Sequence, residues 1–193
     1  MRSVRFFALI AAAGLMLNAR LLVVHGQGNV LRAIAYVDGP AGSGISGVVR
    51  FTQAPVDADF PLPTVSIVAT IAGLTPGPHG LHIHEVGACG DTSVPFGAAG
   101  GHFDPGPAGN SNPDANHPFH MGDVPNLIVN AGGVGHMNHP TSRITLSDGP
   151  LTVFDGNGSA VVVHANPDQG ITGAPGSGVS GGPRIACGVI MMQ

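Results

Sequence analysis

Two histidines separated by one residue, His82 and His84, form the first candidate metal-binding pair of this chain. They lie in a strand-like run at residues 80–86, and residues two apart in a strand point to the same face. Both imidazoles can therefore reach one metal ion, while Ile83 points into the core. Such a pair is a weak signal alone, but the chain has 10 histidines against 11 acidic residues, which is an unusual share.

Two further histidines extend the pair to a candidate four-nitrogen site. His164 ends an apolar run at residues 160–163, and His102 follows two glycines in a long loop. A strand pair joined by one loop histidine and one distant strand histidine would offer four imidazoles. That donor set suits copper, and it also suits zinc.

A second cluster lies at residues 117–123, where His117, His120 and Asp123 occur together. Two imidazoles and one carboxylate need one more ligand to complete a tetrahedral zinc site. His102, upstream in the same loop, can supply it. The alternative interpretation of this segment is an ordinary polar surface loop.

The elements that must position these side chains are short strands separated by turns. Val65, Ile67 and Ala69 alternate with polar residues, the period of a half-buried strand. Long Gly-rich loops cover residues 87–121 and 166–183, and loops of that length are usually functional. We expect an antiparallel β-sandwich or flattened barrel, without a second domain. The other predicted strands are residues 30–37, 45–53, 80–86, 127–131, 143–146, 158–164 and 184–191.

The first 26 residues have the pattern of a signal peptide. Arg2 and Arg5 precede an apolar stretch at residues 6–17, which is too short to span a bilayer. Cleavage after Ala19 or after Gly26 fits the pattern, and a buried first helix is the alternative. We predict a signal peptide at residues 1–26 and one domain at residues 27–193, so that the mature protein is exported, periplasmic or secreted.

The charge balance excludes two classes of partner. The chain has no Lys, and removing the three N-terminal Arg leaves four Arg against 11 acidic residues, a net charge of −7 with histidine neutral. An acidic body without a basic patch argues against nucleic acid, and against an anionic membrane after the signal is removed. Disorder is also disfavoured, because 43% of the residues are hydrophobic.

Five motifs carry a resemblance to a known family. They are GLHIHE at residues 80–85, AGGHF at 99–103, HMGD at 120–123, VVH at 162–164 and RIACG at 184–188. In this order and at these separations they resemble the Cu/Zn superoxide dismutases, and the chain looks like an exported, bacterial-like member. The resemblance covers residues 30–190 and implies an all-β, Greek-key antiparallel β-sandwich (flattened barrel) with two long functional loops.

The resemblance implies a role for each candidate residue. Copper would be bound by His82, His84, His102 and His164, and zinc by His102, His117, His120 and Asp123. His117 is the least typical of these, because the family usually spaces its two non-bridging zinc histidines more widely. A copper-only relative would lack most of the second cluster.

Four more residues follow from the same resemblance. Asp168 would link copper and zinc ligands by hydrogen bonds, which fix the orientation of an imidazole. Cys89 and Cys187 would form a disulfide, as an exported protein permits. Arg184 would draw the anionic substrate to the copper channel.

The implied reaction converts superoxide to dioxygen and hydrogen peroxide, with catalytic roles for Arg184 and His102. His102 would bridge the two metals and exchange a proton. The loop at residues 169–183 has no charged residue, which departs from many relatives. The family is also compatible with a homodimer. The alternatives are a non-catalytic copper-binding or copper-delivery protein of the same fold, and a sandwich adhesion module that would not explain the histidines.

Four histidines lie outside the two predicted sites, and one of them, His25, lies within or beside the predicted signal peptide. His79 is an odd number of residues from His82, so we expect it to face the other way and to form structural hydrogen bonds. We expect His136 and His139 to be solvated in a hairpin.

Overall fold

The computed structural model describes residues 28–56, 61–106 and 109–193. The predicted signal peptide at residues 1–26 lies outside these ranges. The described residues form ten strands and one short 3-10 helix, η1 (Gly97–Ala99). In chain order the strands are β1 (Leu31–Asp38), β2 (Ser46–Gln53), β3 (Val65–Ala72), β4 (Gly77–His79), β5 (Leu81–His84), β6 (Leu127–Val129), β7 (Val134–Thr141), β8 (Ala160–His164), β9 (Arg184–Val189) and β10 (Met191–Met192).

The strands form one antiparallel sheet that nearly closes on itself. Its order is β4-β6-β7-β3-β2-β1-β9-β8-β5, and β10 adds to β1. The two end strands, β4 and β5, are separated only by Gly80, so the opposite ends of the sheet adjoin. Late in the chain, β9 returns to lie beside β1, as in a Greek key. The predicted Greek-key antiparallel sandwich, or flattened barrel, is confirmed.

Alternating side chains build the core. In β3, Val65, Ile67, Ala69 and Ile71 are buried, and the residues between them are not. They pack with Phe51 and Phe103 in one large apolar cluster. A smaller cluster, which includes Phe96, Val162 and Cys187, lies on the other face of β8. The strand with the histidine pair, β5, is buried on both faces, because a loop covers its outer side.

One predicted strand is absent, and one observed strand was not predicted. Residues 143–146 are not a strand; Ile144 and Leu146 are instead buried in the core as irregular chain. The strand that pairs with β3 is β7, which carries exposed His136 and half-buried His139 in the hairpin with β6. The predicted turn at residues 73–78 also contains the start of β4. Among the residues described, no helix is long and apolar enough to cross a membrane.

Candidate metal centre

His82 and His84 lie on the outer face of β5 and are completely buried. Their neighbours Leu81 and Ile83 point into the main core, as the period of two requires. The residues that cover them come from the loop between β5 and β6, at residues 85–126. His82 forms an isolated bridge with Asp123, and His84 forms one with His102. The histidine pair of β5 and the loop residues His102 and Asp123 are therefore adjacent in space.

Glycine lets the loop approach β5 closely. The N–H of Ile83 donates to the carbonyl of Gly122, and the N–H of Phe103 donates to the carbonyl of Ile83, both at 2.9 Å. A Cβ on Gly122 would overlap the carbonyl oxygen of Ile83. The absence of this atom lets residues 102 and 123 lie directly over the histidine pair.

His164 joins the site from the end of β8. This strand pairs with β5 in a register that puts Val163 opposite Leu81, and the pairing with β9 has an irregularity at residues 163 and 164. The ring centroids of His82 and His164 are 5.0 Å apart, and those of His82 and His102 are 4.2 Å apart. The candidate ligand atoms of His82, His84, His102 and His164 all lie within 4.8 Å of one another.

Each of these four rings uses one nitrogen to fix its orientation. His84 Nδ1 is 3.1 Å from the carbonyl of Gly100, His164 Nδ1 is 2.9 Å from the carbonyl of Gly182, and His82 Nε2 is 3.0 Å from Asp168. The other nitrogen of each ring, and Nε2 of His102, is buried without a hydrogen-bond partner. Buried polar atoms are rarely left unpaired. Four unpaired imidazole nitrogens facing one space fit a bound copper ion.

Asp123 gathers the second set of nitrogens. Its carboxylate is 2.6 Å from His102 Nδ1, 3.2 Å from His117 Nδ1 and 2.8 Å from His120 Nδ1. Three imidazole nitrogens and one carboxylate are a donor set that fits tetrahedral zinc. His102 belongs to both sets: its Nε2 points toward the other three histidines of the first set, and its Nδ1 points toward Asp123 in the second. His117 therefore lies beside Asp123 with His120, despite the short separation between the two histidines in sequence.

Asp168 connects the two sets. Its carboxylate is 3.0 Å from His82 Nε2 and 2.6 Å from His117 Nε2. The side-chain amide of Asn126 holds the backbone of Asp168 in both directions. Asn126 Nδ2 donates to the Asp168 carbonyl at 2.9 Å, and the Asp168 N–H donates to Asn126 Oδ1 at 2.8 Å. No sequence pattern pointed to Asn126, because it lies outside every motif that we identified.

Burial lowers the pKa of the four histidines in the first set, whereas hydrogen bonds to carboxylates raise the pKa of His117 and His120 in the second set. Burial lowers the pKa of His82 and of His102 to about 4 and that of His164 to about 3, and it also lowers the pKa of His84. For His117, burial is outweighed by hydrogen bonds with Asp123 and Asp168, which raise its pKa to about 9. The pKa of Asp123 is lowered, because hydrogen bonds from three histidines outweigh its burial. The first set is therefore neutral at pH 7, the form that binds metal.

Arg184 lies beside the first set at a cavity of about 780 Å³ that His164 also lines. Its guanidinium donates to the carbonyl of Phe96 at 2.9 Å and to that of Gly100 at 2.6 Å. The carbonyl of Gly100 thus accepts hydrogen bonds from both Arg184 and His84. This shared contact could not be predicted from the sequence. The predicted Cys89–Cys187 disulfide is present and connects the segment before η1 to β9. It therefore anchors the segment whose carbonyls orient Arg184.

The comparisons with known proteins decide the family. The sequence profile described as "Copper/zinc superoxide dismutase (SODC)" matches residues 45–190. The chain belongs to this family. It is 40% identical over 153 residues to "Superoxide dismutase [Cu-Zn]" of Deinococcus radiodurans, covering 75% of this chain and 76% of that protein. It is 35% identical over 173 residues to "Extracellular superoxide dismutase [Cu-Zn]" of Onchocerca volvulus, covering 86% and 78%.

A solved structure agrees with the fold of this copper/zinc superoxide dismutase family member. The crystal structure of a double mutant of a SOD-like protein from Bacillus subtilis has a TM-score of 0.63 and 28% sequence identity. The match covers 81% of this chain and 95% of the Bacillus subtilis chain. Copper and zinc are accordingly the cofactors of this family member. The ligand atoms of His82, His102, His117 and Asp123 also lie within 4.8 Å of one another, and His120 adjoins this group through Asp123. The assignment of each individual ligand stays a prediction.

The remaining histidines have other surroundings. His79 is buried, with Nδ1 2.8 Å from the carbonyl of His164 and Nε2 2.9 Å from that of Thr75. It has the structural hydrogen bonds that the sequence predicted, and it supports the backbone of His164. His136 Nδ1 is 3.3 Å from Thr70 Oγ1 on the exposed face of the sheet.

Proposed function

We propose that this chain disproportionates superoxide with copper held by His82, His84, His102 and His164, and with zinc held by His102, His117, His120 and Asp123. The net reaction takes two superoxide anions and two protons to one dioxygen and one hydrogen peroxide. The observation that carries the proposal is the set of four buried, unpaired imidazole nitrogens beside Arg184 at the end of a cavity. Copper supplies one-electron reduction and oxidation, and zinc supplies none.

Arg184 binds and orients the substrate in this proposal. Its carbonyl partners at Phe96 and Gly100 hold the guanidinium at the cavity, where a fixed cation attracts an anion. His102 is the proton carrier, because its Nε2 faces the first set while Asp123 holds Nδ1. Nε2 can hold a proton only when it does not bind copper, and that proton would then be positioned for transfer to reduced oxygen.

Asp168 orients two of the rings and does not touch the substrate, whereas Asp123 is itself a proposed zinc ligand. Asp168 holds Nε2 of both His82 and His117, so that Nδ1 of each ring faces inward. Carboxylates in this position fix the tautomer and the direction of a ligand imidazole. Loss of Asp168 should therefore weaken both metal sites.

The experiment compares two histidine variants of the metal-loaded protein by their rate of superoxide decay. We expect His164→Ala to abolish dismutation, because one of four copper ligands is gone. The matched control is His136→Ala, which removes an exposed histidine and should keep the wild-type rate. Equal rates in both variants and wild type would contradict the copper assignment. Full copper and zinc loading without dismutation would contradict the enzymatic proposal and favour a copper-binding or copper-delivery protein.

The proposal extends to location. The signal-peptide pattern of residues 1–26, the disulfide, and the printed name of the extracellular relative support export to the periplasm or the medium. A mature domain beginning near residue 27 would follow. Mass spectrometry of the protein from culture medium or periplasm tests this, with an uncleaved N-terminus as the contrary result. We also propose that the mature protein makes no contact with a membrane. A homodimer is compatible with the family, and light scattering would measure the mass of the assembly in solution.

A further inference from the structure

The loop between β8 and β9, at residues 165–183, forms one wall of the cavity that leads to His164 and Arg184. From residue 169 to residue 183 it has no charged side chain, and it is rich in glycine. Gly176, Gly178, Gly181 and Gly182 all have positive φ, which is a conformation that glycine adopts readily but does not enforce. An uncharged, glycine-rich loop has high conformational entropy when free. Its shape must therefore be fixed by contacts from elsewhere.

Four of these contacts come from one residue of the other long loop, Asp114, and others come from His117 and His164. Its carboxylate accepts hydrogen bonds from the N–H of Gly178 at 2.9 Å, the N–H of Ser180 at 3.1 Å and the hydroxyl of Ser180 at 2.9 Å. Its carbonyl accepts from the N–H of Gly173 at 2.9 Å. Asp114 is only 4% exposed, so these bonds are shielded from water. Hydrogen bonds to a charged group are stronger than neutral ones.

Asp114 is itself firmly placed. Asn112 Oδ1 accepts from the N–H groups of Asp114 and Ala115, and the carbonyl of Ser111 accepts from the N–H of His102 at 2.8 Å. The segment that carries Asp114 is thus attached to the backbone of a candidate metal ligand. None of the sequence motifs contains Asp114, and the proposed reaction assigns it no role.

We propose that Asp114 is a positioning residue that fixes the wall of the cavity and thereby limits the size of molecules that reach the copper site. The inference rests on the proposed function, since it takes the cavity as the route to copper. Small anions pass the fixed wall, and bulky ligands do not. Loss of the carboxylate releases the loop at Gly178 and Ser180 while leaving all proposed metal ligands in the chain.

The test measures access to copper in the holoenzyme with two probes of different size. EDTA is the bulky probe, and its rate of copper removal is followed by the visible absorption of Cu(II). Azide is the small probe, and its binding is followed by its absorption band with Cu(II). For Asp114→Ala we expect EDTA to remove copper at least about tenfold faster, a size consistent with losing charge-assisted hydrogen bonds. Azide affinity should stay at the wild-type value.

Two variants complete the design. Asp148→Ala removes an exposed carboxylate elsewhere and should match wild type with both probes, which controls for the loss of one negative charge. Asp114→Asn keeps the shape but turns an NH₂ group toward backbone donors, so it should resemble Asp114→Ala. If Asp114→Ala yields no soluble holoenzyme, Ser180→Ala, which removes one donor to the carboxylate, tests the same contact by amide hydrogen exchange of residues 176–180.

Three results would overturn the proposal. The first is an unchanged EDTA rate in a folded Asp114 variant. The second is an equal change with EDTA and azide, which indicates general loosening of the copper site. The third is that the Asp114 variant loses copper on dilution without a chelator, which would mean that copper binding itself is weakened. A wild-type protein that holds copper but does not dismutate superoxide would refute the proposed function, while the size dependence of copper access would still test Asp114.

Discussion

Removal of the Cys89–Cys187 disulfide should destabilise the metal-free protein by about 4–5 kcal/mol, because the bond closes a loop of 98 residues in the unfolded chain. Cys187 is 4% exposed and packs with Phe96 and Val162, so substitution adds a small packing loss. For a domain of this size the midpoint of thermal unfolding should fall by roughly 10–15 °C.

The measurement is urea unfolding of the metal-free protein, so that metal binding does not add to its stability. Wild type is compared with and without reductant, beside the double variant Cys89→Ala/Cys187→Ala. We expect the reduced wild type and the double variant to have similar free energies of unfolding. The double variant should not respond to reductant, which is the control. A loss below about 1 kcal/mol on both routes would refute the reasoning from chain entropy.

The disulfide should also affect the reaction through Arg184. The bond anchors the segment whose carbonyls, at Phe96 and Gly100, hold the guanidinium. In the metal-loaded protein, reduction should therefore lower kcat/KM for superoxide more than it lowers copper content. An equal fall in both quantities would mean that the bond protects the metal and does not orient the arginine.

Four further predictions concern the metals and the substrate. Asp123→Ala should lose zinc while keeping copper and much of its activity at neutral pH, measured by elemental analysis; copper loss with zinc retained would show that the two sites are reversed. Arg184→Ala should lower kcat/KM at low salt by roughly tenfold, and Arg184→Lys should recover part of it. With the net charge of −7 that removal of the predicted signal peptide would leave, raising salt should change the wild-type rate little before it falls. A steep fall from the lowest salt would indicate that positive charge outside this chain steers the substrate. Zinc affinity should rise by up to about tenfold per pH unit from pH 6 to 8, because a proton on His117, whose pKa is about 9, must leave before zinc binds. Copper affinity should change less in that window, since burial lowers the pKa of His82 to about 4; equal pH slopes in metal titrations would contradict this.

The alternation of apolar and polar residues was sufficient to predict a strand where one face of that strand is buried. The alternation in β3 and the pair His82 and His84 on β5 both follow from the period of two, and the structure has both. Pattern failed at β7, whose sequence VGHMNHPT has few apolar residues because its outward face is exposed. It failed also at Ile144 and Leu146, which are buried without belonging to a strand. Burial alone therefore does not identify a strand.

The contacts that orient the site could not be predicted in the same way. Asn126 holds Asp168 through its backbone, and Asp114 holds Gly178 and Ser180 through their N–H groups. Side-chain bonds to distant backbone have no periodicity, and any Asn or Asp in a loop has the same appearance in sequence. The pairing of Cys89 with Cys187 was different, since it followed from a family resemblance and the structure confirms it.

The central claim is that copper and zinc occupy neighbouring sites that share His102. Crystals of the metal-loaded protein, measured at the X-ray absorption edges of copper and zinc, test it most directly. We predict a copper peak among His82, His84, His102 and His164, and a zinc peak among His102, His117, His120 and Asp123. A single peak, exchanged metals, or a zinc position without His102 would contradict the account.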